Sequence, residues 1–274
     1  MAIIETQDLG KPVLGEDLTG RVAMVTGGTR GIGAAICRSL AEHGATVAAG
    51  FGRDHERAEE FKRELEDTGA TVSLHQGNVG SGEDARRTIR EAIEQHGRLD
   101  ILVNNAGITV DRTIGAMTDD DWLHVIDVNL SGAFFMSKAA LEHMLERGSG
   151  RIVNISSIIG QTGNIGQANY AASKSGLFGL TMSLAREAAF ALKRNDQLDP
   201  DGLGITVNTV APGFIETEML DSVPPKVLDR IRSAIPFDRL GRPEEVARVV
   251  RFLVADASAY ITGQVWAVNG GQEM

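Results

Sequence analysis

The chain has 274 residues, 42% hydrophobic and 23% charged, with 37 acidic and 27 basic side chains. That balance is typical of a folded globular protein and excludes a disordered, collagenous or coiled-coil chain. The net charge of −10 excludes nucleic acid or an anionic membrane surface as the main partner, though a local basic pocket for a small anion stays possible.

The first 20 residues precede any strand pattern and read as an N-terminal arm, with Glu5 and Asp8 where a secretory leader would need an apolar core. An apolar run at 22–26 reads as the first strand, and a helix pattern follows over 31–43. Strand and helix patterns then alternate: strand 46–50, helix 54–68, strand 71–76, helix 82–96, strand 101–103. Asp119, Asp120 and Asp121 place negative charge at the start of a helix expected over 119–146. A strand at 151–155 and a helix over 168–193 come next. The polar, turn-rich stretch 193–202 reads as a surface insertion. A strand at 204–208, a helix over 217–234, a helix over 243–255 opened by Pro243-Glu244-Glu245, and a strand at 264–268 complete the chain. Several strand patterns are continuously apolar, as strands covered on both faces require. The alternation predicts one α/β domain over 21–274: a doubly wound parallel sheet of about seven strands with helices on both faces.

The first strand runs straight into Thr26-Gly27-Gly28-Thr29-Arg30-Gly31-Ile32-Gly33 and then a helix. Gly27, Gly31 and Gly33 let the backbone turn tightly and approach a pyrophosphate, which the helix N-terminus attracts with free amides and a positive dipole. A tight strand-to-helix turn alone would look similar, but its place after the first strand of an α/β pattern favours a Rossmann-type dinucleotide site. An NAD site usually carries an acid at the end of the second strand. Here Ala48-Ala49-Gly50-Phe51-Gly52 leads to Arg53, and Arg30 lies in the turn itself. Two guanidiniums suit a 2′-phosphate, so NADPH is the expected cofactor, although Asp54 is within reach of a ribose.

Tyr170 and Lys174 lie four residues apart at the start of a helix and share one face. Ser157 follows the strand at 151–155, and the glycine-rich stretch 160–166 returns the chain to that helix. A phenol of pKa about 10 needs roughly 4 kcal/mol of selective phenolate stabilisation to work near pH 7. The Lys174 ammonium and an oxidised nicotinamide have the right sign for it. In the reducing direction Tyr170 would give a proton to a carbonyl oxygen that Ser157 holds.

Together these residues resemble the short-chain dehydrogenase/reductases over almost the whole chain from about Gly20. The resemblance rests on the turn at 26–33, Asn104-Asn105-Ala106-Gly107, Asn129, Ser157, Tyr170-Ala171-Ala172-Ser173-Lys174 and Pro212-Gly213. It implies that Asn129 is a fourth catalytic residue, holding a water that links Lys174 to solvent. It implies that Lys174 also bonds the nicotinamide ribose, that Asn104 sits near the adenosine ribose, and that Ile215 and Thr217 sit near the carboxamide. Thr29, Ile32, Ala106, Gly107, Pro212 and Gly213 join the cofactor contacts on the same grounds. Asn78-Val79 stands where the family usually has Asp-Val against adenine, which leaves that contact open. Within the family the chain looks closest to reductases of 3-oxoacyl thioesters, carried on CoA (acyl-CoA) or on acyl carrier protein (acyl-ACP). That likeness implies a (3R)-hydroxyacyl product and a homotetramer with interfaces at the C-terminal strand and helices. An acidic carrier protein would need basic residues at the entrance, for which Arg147, Lys193 and Arg194 are candidates.

The six histidines show no ligand spacing, so no metal is expected. Cys37 reads as a small buried apolar residue, and as the only cysteine it allows no intrachain disulfide. That usage fits a reducing compartment, and a cytoplasmic location is expected, with no apolar run long enough to span a membrane. Two other functions compete: reduction of a different carbonyl, such as a steroid, sugar or quinone, and non-catalytic dinucleotide sensing.

Overall fold

The computed structural model describes residues 17–198, 202–220 and 223–273. Seven strands form one sheet: β1 (Val22–Val25), β2 (Thr46–Phe51), β3 (Val72–Gln76), β4 (Ile101–Asn104), β5 (Gly150–Ile155), β6 (Ile205–Pro212) and β7 (Val265–Val268). Their order is β3-β2-β1-β4-β5-β6-β7 and every pairing is parallel. The helices are α1 (Gly31–Glu42), α2 (His55–Glu66), α3 (Gly82–His96), α4 (Asp119–Ile126), α5 (Gly132–Arg147), α6 (Ile159–Thr162), α7 (Ala168–Arg194), α8 (Pro225–Ser233) and α9 (Pro243–Val254). The doubly wound α/β fold read from the sequence is the fold observed.

Strand alternation divides the interior into two cores. Ala23, Val25, Val47, Ile101, Val103 and Val153 face α1, α2 and α9, where Ile36, Leu40, Phe61 and Val250 cover them. Val22, Met24, Ala48, Leu102 and Ile152 face α3, α5 and α7, against Ile89, Met136, Met144 and Leu184. Both faces are dry, which is why these strands carry unbroken apolar runs. Helix starts follow from local chemistry. Asp54 caps α2 through Arg57 N, Ser81 caps α3 through Asp84 N, and Thr118 and Asp121 form a capping box on α4.

Four expectations change. The helix expected over 119–146 is broken by a π-helical turn at Asp127–Ser131, which carries Asn129 inward. The helix expected over 217–234 becomes a 3₁₀ turn at Glu218–Leu220 followed by α8; Pro225 starts α8 because proline fits only a helix's first turn. Residues 221–222 lie outside the described residues. In the stretch read as an arm, Leu18 is buried in the α1 core and its N–H bonds His43 O at 2.8 Å, so the fold begins before β1; 1–16 lie outside the described residues. Of the insertion at 193–202, Lys193 and Arg194 complete the last turn of α7, and 199–201 lie outside the described residues.

One polar chain crosses the second core. Asn104 Nδ2 donates to Asn154 Oδ1 at 2.8 Å, Asn154 Nδ2 to Thr181 Oγ1 at 2.8 Å, and Thr181 meets Thr209 at 2.7 Å. All four are buried, so each lost partner strands a desolvated group. Asn154→Ala should therefore cost about 2–3 kcal/mol of unfolding free energy, read as a lower urea midpoint.

Candidate active site

Because all strands are parallel, their carboxyl ends lie at one edge, and the crevice opens where the order reverses, between β1 and β4. The glycine turn leaves β1 there. Gly27 has φ +61°, closed to most side chains. A Cβ on Gly33 would lie 2.1 Å from Gly27 O, so only glycine lets α1 start this close to the turn. Arg30 is the N-cap of α1 but makes no side-chain cap, and the first turn holds no acid. The α1 N-terminus thus presents free amides and an uncompensated positive dipole, which fits a pyrophosphate. Thr217 stands over the turn, with its Cγ2 3.5 Å from where a Gly31 Cβ would be.

The turn is tied to β4 by Asn105, a member of the 104–107 motif with no separate role expected of it. Asn105 Nδ2 donates to Thr26 O at 2.9 Å and to Gly27 O at 3.1 Å. Thr26 Oγ1 accepts from the N–H groups of Asn105 and Ala106, each at 3.0 Å. Asn104, expected near the adenosine ribose, instead turns its carboxamide into the second core, toward Ser137 and Asn154. The period of two in β4 decides this: Asn104 continues the face of Leu102, and Asn105 takes the opposite side. Ile32, Val79 and Ile215 likewise pack their side chains against the cores, leaving only backbone for a ligand. Asn78 is held by its own loop: its N–H donates to Asp84 Oδ2 at 2.8 Å and its Oδ1 accepts from Gly80 N at 3.1 Å. Gly213 N donates to Val268 O at 2.9 Å, which fixes the Pro212-Gly213 turn beside β7.

The catalytic candidates converge at the same edge. Ser157 is buried just past β5 and its Oγ accepts from Ile159 N at 3.2 Å. Tyr170 lies in the first turn of α7, hydrogen-bonded to the Ser157 side chain. Its backbone is placed by buried Asn169, whose Oδ1 accepts from Tyr170 N at 2.8 Å and whose Nδ2 reaches Val110 O and Asp121 O. Lys174 Nζ lies 5.7 Å from the Tyr170 ring centroid and donates to Ile155 O at 2.8 Å. Asn129 Oδ1 accepts from Ile108 N at 2.8 Å, and its Nδ2 donates to Ile108 O and Ser173 Oγ. A Cβ on Gly107 would sit 3.3 Å from Lys174 Nζ and 3.4 Å from Asn129 Oδ1, so both groups face one small space.

Burial governs the charges here. It pushes the Lys174 ammonium down to about 8. It raises the Tyr170 phenol above its ordinary value; the Ser157 hydrogen bond opposes this and the Asp111 carboxylate adds to it. The direction is opposite to the lowering expected from Lys174, because desolvation of a phenolate outweighs the Ser157 hydrogen bond.

Arg30 and Arg53 are both exposed, Arg30 in the turn after β1 and Arg53 just past β2. Asp54 is committed to capping α2. A cleft of about 1160 Å³ opens outward from Thr29, Arg30 and Gly31 toward α8, away from Tyr170. The three basic residues expected at a carrier entrance lie away from Tyr170 in the fold. Lys193 and Arg194 end α7, roughly 35 Å along the helix from Tyr170 at 1.5 Å per residue. Arg147 ends α5 beside Asp100, at the opposite edge of the sheet. Among the described residues no three His, Cys, Asp or Glu side chains converge as a metal site, and no helix is long and apolar enough to cross a membrane.

A sequence model of the family described as short chain dehydrogenase matches residues 21–227. An acetoacetyl-CoA reductase of Rhizobium meliloti is 47% identical over 253 residues, 92% of this chain and 98% of that protein. An acetoacetyl-CoA reductase of Allochromatium vinosum is 44% identical over the same shares of each chain. A 3-oxoacyl-[acyl-carrier-protein] reductase of Staphylococcus aureus is 42% identical, again over 92% of this chain and 98% of that protein.

Gly33→Ala should force the turn and α1 apart. Calorimetric titration should show dinucleotide affinity falling at least tenfold, while far-ultraviolet circular dichroism keeps the helical signal.

Proposed function

Since the chain belongs to the short-chain dehydrogenase family, we propose that it reduces a 3-oxoacyl thioester to the (3R)-hydroxyacyl thioester with NADPH. Family membership and these relatives make it an oxidoreductase acting on a CH–OH/C=O group with a nicotinamide dinucleotide. The observation that carries the reading is the meeting of Ser157, Tyr170 and Lys174 beside an uncapped α1 N-terminus. A dinucleotide sensor would have no use for a buried acid and cation there.

NADPH, when bound, supplies the hydride. Tyr170 keeps its proton at neutral pH because burial raises the phenol, so it can protonate the substrate oxygen. The Ser157 oxygen accepts from Ile159 N–H, so its hydroxyl hydrogen, shared with the Tyr170 oxygen, would turn to the substrate oxygen when substrate enters. Lys174 is charged below about pH 8 and stabilises the phenolate left behind. A water between Asn129 Oδ1 and Lys174 Nζ would return a proton to the site from solvent. Arg30 and Arg53 would take the 2′-phosphate, a choice supported by the commitment of Asp54 to its cap. The chain's net charge of −10 favours CoA over an acidic carrier protein. Assembly as a homotetramer is supported by large apolar side chains left exposed on α5 and α7, namely Phe134, Met182 and Phe190.

Tyr170→Phe should lower kcat about a thousandfold while calorimetry finds NADPH affinity nearly unchanged. The reductive rate should fall as pH rises above about 8, because Lys174 then loses its charge; Ser157→Ala should leave that limb in place. NADPH oxidation measured against acetoacetyl-CoA, acetoacetyl-ACP and a steroid and quinone panel should show turnover on a thioester. Silence on both thioesters would remove this substrate class, and a higher kcat/KM with NADH would overturn the Arg30 and Arg53 assignment.

A further inference from the structure

The rim of the large cleft holds an internal ion pair with no counterpart in the motifs. Glu218 opens the 3₁₀ turn after β6 and projects its carboxylate toward α2. Both Arg57 guanidinium NH₂ groups donate to it, Nη1 to Oε2 at 3.0 Å and Nη2 to Oε1. Arg30 Nη1 lies 3.9 Å from the same Oε2. One carboxylate therefore faces two guanidiniums, one from the phosphate turn and one from the first turn of α2, and all three residues line the same cleft. The other two arginines of that cleft are committed elsewhere, Arg38 to Glu64 at 2.8 Å and Arg232 to Asp229 at 3.1 Å. The remaining charges facing it are acidic, among them Asp54, Glu56, Glu60, Glu216 and Glu244.

We infer that Glu218 sets cofactor preference by competing with the cofactor's phosphomonoester for Arg57 and Arg30. The inference rests on the reading that the cleft takes the 2′-phosphate of NADPH. One edge of a guanidinium holds one bidentate oxyanion at a time, and Glu218 occupies the Nη1/Nη2 edge of Arg57. A 2′-phosphate can take that edge of Arg57 only if Glu218 leaves, and a Glu218 that stayed would add like-charge repulsion to the lost bonds. A cofactor with a free 2′-hydroxyl brings no anion and leaves the pair intact. Glu218 therefore penalises the phosphorylated cofactor alone, and Arg57 joins Arg30 and Arg53 as a third guanidinium for that phosphate.

Adenosine 2′,5′-bisphosphate and 5′-AMP, titrated calorimetrically into the full-length wild type, Glu218→Gln, Arg57→Gln and the double variant, test this. Glu218→Gln should tighten the bisphosphate about two- to fivefold, the range of a partly exposed ion pair, and leave 5′-AMP unchanged. Arg57→Gln should weaken the bisphosphate alone, and Glu218→Gln should tighten it less in that background than in the wild type, since only Arg30 is then left to free. Unchanged bisphosphate affinity in Glu218→Gln, or equal tightening of both nucleotides, overturns the inference. A wild type that binds both nucleotides equally defeats the NADPH reading itself; Glu218 is still the competitor if its removal then creates a preference. In turnover the same variant should show a lower KM for NADPH with kcat unchanged.

Discussion

Parallel pairing is the constraint from which the rest of this molecule follows. A parallel strand cannot be joined to its neighbour by a tight turn, so each strand but the last is followed by a crossover that carries at least one helix. Those helices cover both faces, which is why the strands are apolar on both sides. The same rule sends every strand in one direction. The turn after β1, the Asn105 loop after β4, Ser157 after β5 and Pro212-Gly213 after β6 are brought to one edge with no further instruction. Reversal of strand order between β1 and β4 then opens a crevice between two of these loops.

What happens at that edge runs against stability. Lys174 is stripped of water, with Ile155 O as its hydrogen-bond acceptor, and its charge is held at a cost that lowers its pKa to about 8. Tyr170 is kept protonated by the same dryness. Asn129 sits on a π-turn, a rare backbone form, and answers both backbone polar groups of Ile108 with its carboxamide. Elsewhere the chain satisfies such groups in longer networks, as with Asn104, Asn154 and Thr181. The site thus concentrates desolvated charge and buried polar groups in a few residues, and the two apolar cores hold them in place.

Much of this is legible in the sequence because it is written in short periods. Unbroken apolar runs give the strands, and the glycine turn with Tyr170 and Lys174 at a spacing of four gives the site. Legibility ends where geometry depends on residues far apart in the chain. Nothing local separates Asn104 from Asn105, since only the face of β4 that meets α5 decides which one enters the core. The expected helix at 119–146 has ordinary helical spacing, and the break at Asp127–Ser131 follows from the demand that Asn129 reach Ile108. Arg147, Lys193 and Arg194 look available as charges, but helices that return from the cleft end at the wrong edge. The Arg57–Glu218 pair spans 161 residues and has no local signature.

The burial of Leu18 has a consequence for handling the molecule. The chain enters the fold through the α1 core beside the start of β1, at the edge opposite the crevice, with Leu18 N bound to His43 O. The other end leaves from β7 at the crevice edge, where Asn269 Nδ2 holds Glu273 O at 2.9 Å. Asp17 and Glu273, the first and last described residues, are therefore unequal as attachment points. A bead, an electrode or a partner enzyme attached at Asp17 stands at the edge away from the reactive mouth. A linker fused after Glu273 starts at that mouth and competes with whatever must enter it.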